Sequence, residues 1–185
     1  MTFPLSQTED ADEANESPVS GSRGLDSGLF AGPRLRPGQF ITQVATQAEA
    51  GLRATGLHFQ VQARGRLVKF WSGADATVHY EVWVHEREAR LEVGFHMEAD
   101  ENTNSALYRA FDKCLLDIQV QLGGGVWLEP WDKGWVRLYE TQPLWPLDTG
   151  RVYDTAERLV DFVKAIEPIY QSILAGLEAS EFSTS

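Results

Sequence analysis

The feature that most constrains this fold is a pair of strictly alternating segments between residues 77 and 100. Apolar and polar side chains alternate through residues 79–85, and the same alternation returns through residues 90–98. A period of two residues is the pattern of a β-strand with one buried face. The two segments therefore predict an antiparallel hairpin with a tight turn near Arg87 and Glu88.

One register places all the apolar side chains of this hairpin on a single face. The apolar face then carries three cross-strand pairs, Val84 with Leu91, Val82 with Val93 and Tyr80 with Phe95. The opposite face carries four pairs, His79 with His96, Glu81 with Gly94, Trp83 with Glu92 and His85 with Arg90. A slip of one residue would turn every apolar side chain outward, so the pattern predicts this register.

Length and composition indicate one globular domain. The chain has 185 residues, 43% of them hydrophobic, which suffices for a sizeable core. Its single cysteine, Cys114, excludes an internal disulfide and falls on an apolar helical stripe, which favours a buried structural thiol. No apolar run reaches the roughly 20 residues of a membrane helix, and no secretory signal pattern opens the sequence. We therefore expect a cytoplasmic protein that does not bind membranes.

The charge balance excludes one broad class of partner. The formal net charge is −11, of which residues 1–37 carry −3 and the remainder −8. Acidity is therefore a property of the domain as well as of the N-terminal segment. A negative field repels phosphate backbones, so we expect no binding to nucleic acids.

The hydrophobic period predicts three helices and six strands. Residues 1–37 are rich in Ser, Gly, Pro and acids and predict a disordered tail, residues 38–178 a single α+β domain, and residues 179–185 a polar C-terminal tail. The predicted helices cover about 39–55, 103–122 and 153–177, with Pro168 kinking or splitting the last. Besides the central hairpin, the predicted strands cover 57–63, 67–72, 126–129 and 135–140. The order α-β-β-β-β-α-β-β-α predicts an antiparallel sheet of five or six strands with three helices packed on one face.

A cluster of metal-ligating residue types lies on the polar face of the hairpin. His79 and His96 are cross-strand neighbours in the predicted register, and Glu81 and Glu98 follow two residues later on the same face. Imidazole and carboxylate together suit a divalent transition metal such as Zn²⁺. One hypothesis is therefore a metal-binding protein or a metal-dependent hydrolase. The other interpretation is an ordinary solvated sheet face with no cofactor.

Aromatic residues predict a second kind of site on the same face. The alternation assigns five side chains to the side of the sheet without helices: Trp83, Trp127, Trp135, Tyr139 and Arg137. Trp, Tyr and Arg are enriched in protein interfaces. We expect a partner protein or a second subunit to cover them, so that the protein is a homo-oligomer. The alternative is that the N-terminal tail or the 144–153 link covers them.

The layout also resembles the PD-(D/E)xK nuclease family. That family places an acid on one central strand and an acid-x-lysine on the next, and here Glu81 and the stretch Glu92-Val93-Gly94 stand at those places. The lysine is missing, although Lys69 on the preceding strand is a possible migrated amine. The resemblance implies a degenerate nuclease fold without activity.

Element order, acidity and small size together resemble the chaperones of bacterial type III secretion. The resemblance covers roughly residues 39–177, and the strand at 57–63 departs from the family layout. It implies a homodimer that binds an extended segment of a client protein. No phosphate-binding loop or Gly-x-Ser-x-Gly elbow is present. The leading hypothesis is therefore a non-enzymatic, chaperone-like interaction domain.

Overall fold

The computed structural model of the chain describes residues 33–182. Its three helices are α1 (Pro37–Ala54), α2 (Glu101–Leu122) and α3 (Thr149–Phe182). Its six strands are β1 (Gln60–Arg64), β2 (Leu67–Trp71), β3 (Val78–His85), β4 (Arg90–Met97), β5 (Trp127–Pro130) and β6 (Val136–Pro143). The predicted α+β class and the order α-β-β-β-β-α-β-β-α are confirmed.

The six strands form one antiparallel sheet in the order β1-β2-β3-β4-β6-β5. The predicted register of the central hairpin is confirmed, since Tyr80 pairs with Phe95 and His79 with His96. A 3₁₀ turn at Glu86–Glu88 joins β3 to β4 and ends at Ala89 with a left-handed φ of 49°. The hairpin therefore brings the two histidines together at the centre of the sheet.

The hydrophobic core lies between the apolar face of the sheet and the three helices. Phe95 on β4 occupies its centre, with its ring centroid 4.8 Å from Tyr80, 5.6 Å from Phe111 of α2 and 5.0 Å from Tyr170 of α3. Helix α1 contributes six buried side chains, Phe40, Ile41, Val44, Ala45, Ala48 and Leu52. The three helices cover one face of the sheet. In the part of the chain that the structure describes, the other face carries no helix.

Aspartates cap the N-termini of the two later helices. The Asp100 carboxylate accepts the backbone N–H groups of Asn102 and Thr103 at 3.0 and 3.1 Å. The Asp148 carboxylate accepts the N–H of Arg151 at 2.8 Å, so α3 begins at 149 rather than at the predicted 153. Each cap satisfies backbone donors that the helix itself leaves unpaired.

Some element boundaries differ from the predicted ones. Strand β1 begins at Gln60 instead of residue 57, because the Leu57 N–H bonds to the Leu52 carbonyl and Phe59 packs edge-on against Tyr80 at 5.7 Å. Helix α3 continues through Pro168 to Phe182 and is not split. Of the predicted tails, residues 1–32 and 183–185 lie outside the described residues.

We expect Phe95→Ala to lower the free energy of unfolding by about 3–5 kcal/mol, because it removes the ring around which three elements pack. Urea denaturation followed by far-UV circular dichroism measures the loss. The matched control is Tyr153→Ala, whose side chain is exposed on α3. The control should stay within about 0.5 kcal/mol of the wild type. A similar loss in both variants would contradict this account of the core.

Candidate functional site

The polar face of the sheet is buried, unlike the open face that the sequence predicted. His79, Glu92 and His96 are each 1% exposed, and Glu81 is 3% exposed. Ionisable side chains are seldom buried so fully without partners, because desolvation of a charge is costly. Neighbouring side chains and a loop must therefore cover and pair these groups.

Trp131, between β5 and β6, forms the cover. Its indole centroid lies 5.6 Å from the His96 ring, 6.1 Å from Trp83 and 5.7 Å from Trp135. The guanidinium carbon of Arg137 lies 5.3 Å from the centre of the Trp131 ring. The β5–β6 loop thus folds an aromatic side chain back over the polar face and excludes water from it.

Asn104 anchors the loop that carries Trp131. Its side-chain amide donates to the Gly134 carbonyl at 3.0 Å and to the Ala99 carbonyl at 2.9 Å, and it accepts the Ala99 N–H at 3.1 Å. The sequence pattern singled out neither Asn104 nor Trp131 as a site residue. An aromatic residue inside a polar five-residue turn was the signal that could have identified Trp131.

Arg137 on β6 neutralises the carboxylate at the centre of this face. Its Nη1 donates to both oxygens of Glu92 at 3.2 and 3.0 Å, while Nε donates to Glu129 at 3.0 Å. Burial raises the pKa of the Glu92 carboxyl, but the imidazole N–H groups of His85 and His96 and the charge of Arg137 outweigh it. The pKa therefore lies well below its usual range, and Glu92 is a buried anion that depends on its partners.

The two histidines of the predicted metal cluster lie side by side. Their ring centroids are 5.5 Å apart, and Glu98 Oε1 lies 4.0 Å from His79 Nε2 and 3.9 Å from His96 Nδ1. Potential ligand atoms of His79, His96 and Glu98 all fall within 4.8 Å of one another. Glu81, the fourth predicted residue, lies outside that group, with its Oε2 3.5 Å from His79 Nε2. Three of the four predicted ligands are therefore close enough to share one ion.

The positions of Lys69 and Gly94 bear on the resemblance to the PD-(D/E)xK nuclease family. Lys69 Nζ lies 3.7 Å from Glu81 Oε2 and 3.2 Å from Glu98 Oε2, so it pairs with acids on β3 and after β4. Gly94 stands where that family has its lysine. A Cβ atom there would lie 3.0 Å from Tyr139 Cβ and 3.2 Å from the Leu138 carbonyl oxygen. A side chain at position 94 would therefore pack tightly against β6, and among the described residues Lys69 is the lysine that lies beside these acids.

The five residues of the predicted interaction face have different environments. Arg137 and Tyr139 are buried, with 8% and 9% exposure, and the Arg137 guanidinium stacks 4.1 Å from the Tyr139 ring centre. Trp83 and Trp135 are half-buried beside Trp131. Trp127 on the edge strand β5 is 60% exposed. The surface that this face offers to a partner is therefore concentrated at Trp127.

Helix α2, which packs beside β5, presents further apolar surface on its outer side. Leu116 and Val120 are 72% and 80% exposed, and their spacing of four residues places them on one helix face. The Gln119 side chain donates to the Val126 carbonyl at 2.8 Å and holds this end of α2 beside β5. Leu116 and Val120 lie off the apolar stripe that marks the buried side of α2, so the helical pattern did not indicate them.

No family model and no curated protein matches this sequence. Among solved structures, a chain from the HopA1-SchA chaperone-effector complex is similar to 71% of this chain over 96% of its own length. The identity is 16% and the TM-score 0.33, which is too low to establish a shared fold. Within residues 33–182, none of the helices has the length and apolarity required to cross a bilayer.

We expect Arg137→Met to lower the free energy of unfolding by about 3–5 kcal/mol, because it removes the guanidinium that donates to both oxygens of the buried Glu92 carboxylate. Combining it with Glu92→Gln should recover part of the loss, since the orphaned charge is then removed. Urea denaturation at neutral pH measures the free energy of unfolding of the single and the double variant.

The control for this pair is Arg53→Met on the surface of α1, where the Arg53 side chain is 63% exposed and pairs with Glu49. Exposed pairs of this kind contribute about 0–1 kcal/mol, so the control should be nearly as stable as the wild type. An Arg137→Met protein no less stable than this control would show that Glu92 does not depend on Arg137.

Proposed function

We propose that this chain is a non-enzymatic, chaperone-like interaction domain that forms a homodimer and holds an extended segment of another protein. The observation that carries the proposal is exposed apolar surface in two places, on the edge strand β5 and on the outer side of α2. Trp127 lies on the edge strand, and Leu116 and Val120 lie on the adjoining helix. Exposed apolar side chains that are neighbours, such as Leu116 and Val120 one helical turn apart, are typical of interaction sites.

The proposed dimer contact uses the outer face of α2. In a two-fold dimer the same patch meets itself, so antiparallel packing about the midpoint between Leu116 and Val120 sets Leu116 against the partner's Val120. This arrangement buries on each chain the two most exposed apolar side chains among the described residues. It leaves Trp127 available for a different partner.

The proposed client site is the β5 edge with Trp127. Strand β5 pairs with β6 on one side and with no other strand in the part of the chain that the structure describes. An extended segment added to such an edge gains main-chain hydrogen bonds and places alternate side chains on either face of the sheet. Glu129, on the same face as Trp127, has a 42% exposed side chain. We therefore expect client segments with an apolar and a basic residue two positions apart, on the same face of the added strand.

We expect the double variant Leu116→Glu/Val120→Glu to be a monomer where the wild type is a dimer. Carboxylates placed at the centre of a self-complementary contact repel each other and must be desolvated. Sedimentation velocity gives the mass of each protein. Tyr153→Glu on α3 controls for an added charge elsewhere on the surface and should remain a dimer. A monomeric wild type, or a dimeric double variant, would overturn the α2 contact.

Trp127→Ala should abolish binding of extended peptides without unfolding the domain, because it removes the exposed anchor of the β5 edge. Peptides selected from a displayed library on the wild type should lose at least about tenfold in affinity for this variant. The matched control is Trp145→Ala, since Trp145 is 53% exposed in the link between β6 and α3. Equal losses in both variants, or selected peptides that bind Trp127→Ala unchanged, would contradict the proposed site.

A further inference from the structure

The geometry points to a divalent transition-metal site of the Zn²⁺ type formed by His79, His96 and Glu98. This site is independent of the proposed function and lies under the Trp131 cover. The three ligand atoms that face one another are His79 Nε2, His96 Nδ1 and Glu98 Oε1. In the described residues, the two imidazole atoms are buried and make no hydrogen bond. Buried polar atoms without a partner are rare and require an explanation.

A carbonyl lies behind the His79 ring and a carboxylate behind the His96 ring. His79 Nδ1 lies 2.7 Å from the Ala76 carbonyl oxygen, which directs the proton to Nδ1 and leaves the Nε2 lone pair facing the cluster. His96 Nε2 lies 3.2 Å from Glu92 Oε1 without meeting hydrogen-bond geometry, and the negative charge of that carboxylate favours the proton on Nε2 and the lone pair on Nδ1. Histidine ligands in metalloproteins are held in this way, by a carbonyl or a carboxylate behind the ring.

The three ligand atoms lie within 4.8 Å of one another and must move closer together to bind an ion. Tetrahedral Zn²⁺ with bonds of about 2.0–2.2 Å separates neighbouring ligand atoms by about 3.3–3.5 Å. Here Glu98 Oε1 lies 4.0 and 3.9 Å from the two imidazole nitrogens. Rotation of the Glu98 side chain, which is 17% exposed, can close this gap. With three protein ligands, the fourth coordination position of the ion is free for water or for an atom of a bound small molecule.

The local charge favours a cation, and the Lys69 ammonium group competes with it for the same carboxylates. Glu81 and Glu98 face a single ammonium group, Lys69, so neutral imidazoles leave one net negative charge. Lys69 contacts Oε2 of Glu98, whereas Oε1 of Glu98 faces the histidines. The lysine therefore orients the carboxylate and at the same time lowers the affinity for a second positive charge. Removing the lysine should strengthen metal binding, an effect that a purely structural hydrogen-bond cluster would not produce.

The test uses the untagged full chain, freed of metal with a chelator and titrated with ZnCl₂ by calorimetry. We expect one Zn²⁺ per chain in the wild type. His79→Gln, His96→Gln and Glu98→Gln should each weaken binding at least about a hundredfold, since each removes a ligand. Glu81→Gln should weaken it less, because Glu81 lies outside the ligand group. Lys69→Met should strengthen it at least about fivefold.

His58→Gln and Cys114→Ser control for other soft ligands, and both should bind like the wild type. His58 is exposed before β1, and Cys114 lies on α2. No binding to the wild type at about 100 μM Zn²⁺ would overturn the site. Unchanged binding in the His79 and His96 variants, or loss of binding in Cys114→Ser, would also overturn it.

A second readout does not depend on variants of the ligands. Co²⁺ bound at His96 should quench the fluorescence of Trp131, whose ring lies 5.6 Å from the His96 ring. Trp131→Phe should bind Co²⁺ with the same stoichiometry and show a smaller loss of fluorescence on binding. Equal quenching in the wild type and in Trp131→Phe would place the ion elsewhere and overturn the assignment.

Discussion

The pairing register of β3 and β4 is the constraint on which the rest of this structure depends. It places Tyr80 and Phe95 together in the core and, on the reverse side, His79 beside His96. A shift of one residue would exchange the two faces, burying carboxylates under the helices and exposing the aromatic core. Both the stability of the domain and the composition of its polar face follow from this one register.

The polar face shows how a sheet can bury charge without a helix above it. Arg137 spans Glu92 and Glu129, and Trp131 covers the guanidinium and the neighbouring histidine. Low water content strengthens each ion pair and makes each unpaired atom more costly. The histidine atoms that remain unpaired beside Glu98 are therefore the most informative feature of this face. The proposed interaction surface lies elsewhere, at the edge strand and on α2.

The outcome for individual residues shows which predictions a single sequence supports. The pairs of the central hairpin were predictable because period two and one buried face leave a single register. The burial of Arg137 and Tyr139 was not, since it depends on the β5–β6 loop folding back through Asn104 and Gly134, 30 residues apart. Leu116 and Val120 were missed for a similar reason, because their exposure depends on the side of α2 that faces the core.

Alternation and helical spacing in the sequence alone determined the element order, the hairpin register and the two faces of the sheet. These features are local, because a side chain's direction on a strand or helix is set by the backbone period. Only the tertiary structure decided that Trp131 covers the polar face, that Glu81 lies outside the His79–His96–Glu98 group, and that Trp127 stays exposed. Those outcomes depend on contacts between segments distant along the chain, and no local pattern encodes them.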